Sequence, residues 1–367
     1  MTSVLIFVLV LVALIVVHEF GHFLAAKLFK MRVDEFGIGY PPRAIGWKKG
    51  ETEYTLNWLP FGGFVRIFGE DQEAADGDPK DADRAFFKKP RALQALVLAA
   101  GIIMNLAFAW LLISIVLGVG APRALAPEEI ATAQDPYVLV SSVMPESPAE
   151  EAGFMPGDRV VRATAGADAF ISADAEQFTA FVSGSEQPIT FVLENRGEER
   201  TISATPRAGL AVEDPERLVL GVGVASVGTV RTPWLMAPIE GFVLTWDLTK
   251  ATAAGLLSFF AGVFTLTADL SQVSGPVGIA GAVGDAAGTG LAQLLTLTAV
   301  ISINLALINL LPIPALDGGR LLFVIVESVI RKPLPRTFQN WVNAAGFAFL
   351  ILLMLVVTAS DIFKIAT

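Results

Sequence analysis

Residues 4–22 begin with Val4-Leu-Ile-Phe-Val-Leu-Val-Leu-Val-Ala-Leu-Ile-Val-Val17 and run without a break into His18-Glu19-Phe20-Gly21-His22. Fourteen consecutive apolar residues, with apolar character resuming after the motif, approach the roughly 20 that cross a hydrocarbon core of about 30 Å. A cleavable leader would need a basic start and a small-x-small site, but Met1-Thr2-Ser3 carries no charge. The run also leads directly into the histidine motif, which cleavage would discard, so a retained span is expected. Residues i and i+4 share one helical face, so both imidazoles can bind one metal ion. Glu19 lies beside them and can take a proton from water that the metal activates. Zinc suits two imidazoles and brings the pKa of such a water toward about 7. The chain has only two histidines, so chance placement at this spacing, with Glu at i+1, is rare.

The rest of the chain supports the membrane setting. Apolar residues make up 53% and charged residues 17%, and the mean hydropathy is +0.60, which points to membrane spans. Further long apolar stretches cover 92–119, 291–311 and 341–360, which makes about four transmembrane helices. Lys27, Lys30 and Arg32 follow the first span, and Lys88, Lys89 and Arg91 precede the second. Arg320, Arg331, Lys332 and Arg336 lie between the third and fourth. Basic flanks face the cytoplasm, so the N-terminus, the C-terminus and residues 121–230 are expected outside. That segment holds 17 acidic and 7 basic residues, which accounts for the whole net charge of −10. An acidic soluble module argues against nucleic-acid binding. Cysteine is absent, which rules out disulfides and thiolate ligands.

Three stretches between the spans complete the organisation. Residues 33–70 read as short strands, at 53–59 and 64–68, punctuated by turns at Gly37-Ile-Gly39, Pro41-Pro42 and Pro60-Phe-Gly62-Gly63. Residues 71–84 are acidic and polar, a solvated loop. From about 135 a β-rich domain is expected, with strands at 138–143, 189–193, 200–205 and 219–225, and a turn at 155–161 that enters another strand. Helical segments are expected at 147–153 and 174–183. Residues 235–270 mix Phe242, Trp246 and Phe260 with Asp247 and Lys250. A single crossing there would move the next basic loop outside, so the sequence favours an amphipathic surface helix or a re-entrant hairpin. The expected domains are 1–120, a membrane part with the histidine helix; 121–230, the outer module; and 231–367, a second membrane part.

Two histidines leave a third protein ligand to find, because catalytic zinc usually takes three plus water. With no other His or Cys, it must be a carboxylate: Asp247, Asp269, Asp317, Glu327 or Asp361. Asp317 is the strongest of these, on the same expected side as His22 and within Asn309-Leu-Leu-Pro312-Ile-Pro314-Ala-Leu-Asp317-Gly318-Gly319. The prolines break the helix and the glycines let backbone approach closely. The competing role for Asp317 is to cap a helix that starts at Gly318.

The chain resembles the site-2 protease family of intramembrane zinc metalloproteases, in particular the bacterial regulator-of-sigma-E protease group. The resemblance rests on His18–His22, the 309–319 run, Gly101-x-x-x-Asn105, Pro60-Phe-Gly-Gly-Phe-Val-Arg66 and Ser274-Gly-Pro-Val-Gly-Ile-Ala280. It implies that His18, His22 and Asp317 bind zinc, that Glu19 is the general base, and that Asn309 hydrogen-bonds the substrate backbone or its oxyanion. It also implies a membrane-associated β-hairpin over 33–70 that adds a strand to an unwound substrate. Residues 152–160, Ala-Gly-Phe-Met-Pro-Gly-Asp-Arg-Val, resemble a PDZ domain, and the chain has room for one. The implied fold is a polytopic α-helical membrane protein carrying an inserted PDZ domain. The implied task is the second cut of single-span proteins already trimmed outside, of the anti-sigma-factor or signal-peptide-remnant type, in the cell membrane. The rival readings are a catalytically silent membrane adaptor, which intact His18, Glu19, His22 and Asp317 oppose, and a transporter, for which paired repeats are missing.

Overall fold

The structure is a computed structural model that describes residues 2–70, 79–195, 197–210, 214, 216–265 and 275–366. In chain order the elements are α1 (Thr2–Leu28), β1 (Val33–Lys49), β2 (Thr52–Ile67), α2 (Arg91–Val119), β3 (Ala121–Ala124), β4 (Gln134–Val143) and α3 (Pro148–Ala152). Then follow β5 (Arg159–Ala165), β6 (Asp168–Phe170), α4 (Ala175–Ser183), β7 (Ile189–Asn195), β8 (Glu198–Ala204) and β9 (Val222–Val230). The chain ends with α5 (Ala237–Thr265), α6 (Pro276–Thr289), α7 (Leu291–Leu310), α8 (Asp317–Ile330) and α9 (Arg336–Ala366). They fall into two compact units, Met1–Ile115 with Leu235–Thr367, and Val116–Trp234.

In the first unit, Thr2–Leu28, Arg91–Val119, Leu291–Leu310 and Thr337–Phe363 are long and apolar enough to cross a membrane, the four stretches expected. The chain is therefore a multi-pass membrane protein with a β region. α1 ends in a Schellman closure: the Met31 amide bonds Ala26 O at 2.8 Å, with Lys30 in the left-handed region at φ 57°. That closure turns the chain into β1. Over residues 33–67 β1 and β2 pair in a ladder that folds back on itself: residues 35–38 pair with 63–66 on one side and with 53–56 on the other, which gives short paired segments as expected. The two-residue turn Gly50-Glu51, with Gly50 at φ 67°, joins the two strands. Gly39, at φ 78°, sits among the register shifts where the ladder folds back, at the first of the expected turns. Of the expected 71–84 loop, 71–78 lie outside the described residues, and Pro79–Arg84 forms a 3₁₀ turn. Ala26, Met31, Val33, Ile67, Phe86, Val97, Leu98 and Val324 make a buried cluster that packs the hairpin base on α1, α2 and α8.

Residues 237–265 are one continuous helix, so the re-entrant hairpin is not what they form; 266–270 lie outside the described residues. The Trp110 indole on α2 donates to Pro238 O at 2.8 Å, and Gly241 seats against Ser114. α6, whose sequence carries Gly281, Gly284 and Gly288, was not anticipated. A Cβ on Gly284 would lie 2.9 Å from that of Ser3 on α1, which shows what this small residue permits there.

The second unit is a seven-stranded antiparallel sheet in the order β3-β9-β4-β5-β7-β8, with β6 on β5. Val138, Val140, Phe154, Phe178, Ile189, Phe191 and Leu193 form its core under α4. Ser147 caps α3 through the Glu150 amide, and Gly153 closes it at φ 86°, as the local pattern predicts. Asp158 is fully buried and holds the following turn by bonding Arg200, Asn195 Nδ2 and the Met155 amide. The short strands β3 and β6 were not anticipated.

Candidate metal centre

His18 and His22 lie one turn apart on α1 and project onto the same face, at 7% and 8% exposure. Asp317 meets them from the start of α8. Its Oδ2 lies 2.8 Å from His18 Nε2 and 3.1 Å from His22 Nε2, and the two nitrogens are 3.2 Å apart. The loop that delivers Asp317 follows from its sequence. Pro312 and Pro314 stop α7, and Ala315 at φ 75° reverses the chain. A Cβ on Gly318 would fall 2.2 Å from Leu311 O, and one on Gly319 2.4 Å from Ile313 O, so only glycine lets α8 begin this close to the end of α7. α8 starts at Asp317 itself, with Leu316 as the N-cap and no side-chain cap, so the carboxylate serves the histidines and not the helix end.

The other carboxylates are engaged elsewhere. Asp247 pairs with Lys250 at 2.9 Å on α5. Glu327 is held by Arg91 at 2.7 Å and by the Leu334 amide at 2.9 Å. Asp361 accepts from the Gly278 amide at 2.8 Å. Asp269 lies outside the described residues. Among the described residues His18, His22 and Asp317 are the one group of three or more His and acidic side chains disposed to hold a metal ion.

The hydrogen bonds around this trio fit a cation. His22 Nδ1 lies 2.8 Å from Val97 O, and a carbonyl can only accept, so Nδ1–H donates and the neutral ring turns the Nε2 lone pair inward. Two imidazole edges and a carboxylate oxygen thus converge on one point. A tetrahedral zinc ion with bonds of about 2.0–2.1 Å sets its ligands about 3.3 Å apart, within a few tenths of an ångström of these separations. Gly101 on α2 makes the room: a Cβ there would stand 2.4 Å from His22 Nε2 and 2.8 Å from His18 Cε1.

Glu19 is half-buried next to the trio, in the electrostatic field of His22, Asp317 and Glu70, and the Val65 amide of β2 hydrogen-bonds its carboxylate. Gly63 lets β2 lie this close: a Cβ there would touch Glu19 Cγ at 3.4 Å and Gly37 O at 3.1 Å. Glu70, just past β2, is ion-paired at 2.5 Å with Arg320 on the first turn of α8, which ties the hairpin end to the element carrying Asp317. Asn309 is half-buried in the last turn of α7, eight residues before Asp317, and is not one of the converging groups. The sequence reading missed the parts that α2 contributes. Val97 acts through its backbone, which no residue pattern signals, while Gly101 and Asn105 were visible only as a spacing.

The sequence matches peptidase family M50 over residues 6–353, and the chain belongs to that family. A protein of Clostridium perfringens named as a zinc metalloprotease is 35% identical over 351 residues, covering 95% of each chain. The zinc metalloprotease RasP of Geobacillus kaustophilus is 30% identical over 444 aligned positions, covering 99% of this chain and 98% of its own. The regulator of sigma-W protease RasP of Bacillus subtilis is 29% identical, with 98% of both chains covered.

Proposed function

We propose that this protein makes the second, intramembrane cut in single-span membrane proteins whose outer part has already been removed. The chain is a membrane zinc metalloprotease, and the observation that carries the proposal is the His18–His22–Asp317 trio, whose two histidines lie on a membrane-length helix, α1. Ionisable groups in a span are costly and mark function. The name regulator of sigma-W protease, borne by a relative, supports substrates of the anti-sigma-factor type, with signal-peptide remnants as a further class. Zinc held by the trio would supply Lewis acidity that polarises the scissile carbonyl and makes water a nucleophile near neutral pH.

The remaining steps belong to side chains. Glu19 takes the proton of the attacking water and returns it to the leaving amine as the C–N bond breaks. Asn309, which no described hydrogen bond engages, donates its amide N–H to the substrate backbone or the developing oxyanion. The substrate enters as an extended strand alongside the β1–β2 hairpin, because helical backbone shields the carbonyl to be attacked. Basic flanks support a cytoplasmic placement of the 321–336 segment and an outer placement of 121–230 in the cell membrane. The second unit acts as a PDZ-like filter. Phe178 and Val182 of α4 and Leu218, Leu220 and Val222 beside and within β9 line an apolar groove suited to an extended chain end.

Glu19→Gln tests this. Zinc content should be unchanged, and turnover of a single-span substrate in detergent should fall about 10²–10⁴-fold, the range for a lost general base. Equal turnover by wild type and variant would sink the mechanism.

A further inference from the structure

We infer that Asn105 is a positioning residue for the metal centre, whose side-chain oxygen accepts the His18 Nδ1–H and so presents the His18 Nε2 lone pair to zinc. This rests on the metal-binding reading of the trio. Asn105 lies at the centre of α2, fully buried at 0% exposure, and its backbone carbonyl accepts the Ser302 hydroxyl of α7 at 2.8 Å. Its Nδ2 lies 3.1 Å from His18 Nδ1, and its Oδ1 is buried with no hydrogen-bond partner. A buried carbonyl oxygen without a hydrogen-bond donor is unfavourable, so it needs an explanation.

The geometry supplies one. Amide nitrogen and oxygen occupy nearly equivalent positions, and which one faces a ring is decided by what the ring offers. With Nδ2 toward it, His18 Nδ1 accepts, the ring proton sits on Nε2, and that proton points at Asp317 Oδ2. A ring in that state cannot ligate through Nε2. With the amide turned, Oδ1 accepts from Nδ1–H, and Nε2 turns its lone pair to the ion, as the Val97 carbonyl already arranges for His22. Two acceptors on α2, Val97 O and Asn105 Oδ1, stand two helical turns apart on one face, with Gly101 midway leaving space for both rings. Metal-bound histidines commonly donate their second N–H to such an acceptor, and loss of that acceptor typically costs 10–100-fold in metal affinity.

Zinc affinity of the full chain in detergent, measured by chelator competition, separates the possibilities. Asn105→Leu removes donor and acceptor and should weaken zinc binding about 10–100-fold. Asn105→Asp offers an acceptor in either orientation and should bind zinc within a few-fold of wild type. If the nitrogen were the working atom, Asp would fail as Leu does, and that result overturns the inference. So does wild-type affinity in the Leu variant. A second measurement needs no variant: the chain has only two histidines, so ¹⁵N-histidine labelling resolves both imidazoles. In the zinc-loaded wild type both rings should carry their proton on Nδ1; a proton on His18 Nε2, or ligation through Nδ1, refutes the assignment. In Asn105→Leu the His18 signals should move while those of His22 stay. A wild type that binds no zinc would remove the metal reading of the trio itself, which the comparison of variants alone cannot do.

Discussion

Gly101→Ala is the most economical perturbation of the metal centre, because it adds one methyl group and touches no ligand. The new Cβ would stand 2.4 Å from His22 Nε2 and 2.8 Å from His18 Cε1, where ordinary contact begins near 3.4 Å. Restoring contact distance therefore needs a shift of about 1 Å in the His22 ring or an equal displacement of α2. The ring cannot swing freely: Nδ1 is tied to Val97 O at 2.8 Å and Nε2 faces Asp317 at 3.1 Å. Ligand distances in a metal site tolerate about 0.2 Å, so the required shift exceeds the tolerance several-fold. If the helices separate instead, overpacking costs about 1–3 kcal/mol and the trio opens. Zinc affinity should fall at least 100-fold, since about 2.7 kcal/mol of lost ligation corresponds to that factor. Chelator competition on purified protein measures it, with Gly281→Ala as the control, because a Cβ there meets nothing within 4 Å and alanine favours the helix by roughly 0.5–1 kcal/mol. Wild-type zinc affinity in Gly101→Ala would refute both the packing argument and the placement of the trio beside α2.

Asp317→Ala should lose stoichiometric zinc, while Glu327→Gln should keep it and lose only stability, since Glu327 serves Arg91 and the Leu334 amide; metal analysis of the two variants decides. Cysteine introduced at exposed Glu186 should react with an impermeant thiol reagent in intact cells and one at exposed Thr337 should not, and the reverse pattern overturns the orientation. The hydrogen bond from Arg84, joined by Lys27, holds the Glu51 carboxyl down to about 2. Its contribution to holding the Gly50-Glu51 turn on Lys27 and Arg84 is therefore present above the usual carboxylate value near 4.5 and lost as pH falls toward 2. The stability gap between wild type and Glu51→Gln in denaturant should shrink from pH 6 to pH 2.5, and a constant gap would count against the pairing.

The four spans were legible because a long unbroken apolar run has few alternatives, and the histidine pair because i, i+4 spacing fixes a shared face. Glycine and proline were harder to read. They mark positions that need unusual backbone or close approach, and sequence alone does not say which. Gly39 stands where the hairpin ladder folds back, at a turn the sequence did suggest, whereas Gly284 lies within α6 and allows it to touch α1 near Ser3. At Gly318 and Gly319 the same inference succeeded, because an adjacent carboxylate and two prolines narrowed the meaning. The choice of Asp317 over Glu327 and Asp361 could not be completed from sequence. All three are acidic residues beside spans, and only the partners found in space, Arg91 for one and the Gly278 amide for another, remove the rivals.

Those partners give a general criterion for polar groups in the membrane-embedded unit. Thr245, Thr249, Thr298 and Asn304 each bond the carbonyl four residues earlier in their own helix. Such a group satisfies itself locally, asks nothing of a neighbour, and tolerates replacement by an apolar residue of similar size. His18, His22, Asn105, Ser302 and Asp317 instead reach across to other helices and to each other. Burying groups that depend on distant partners is worthwhile only if the assembled arrangement does something the separate helices cannot. Here the arrangement is two imidazoles and a carboxylate with their metal-facing edges turned inward, held from behind by a carbonyl and an amide of α2. The cross-helix polar contacts therefore outline the working centre, and the self-satisfied ones are the background against which it stands out.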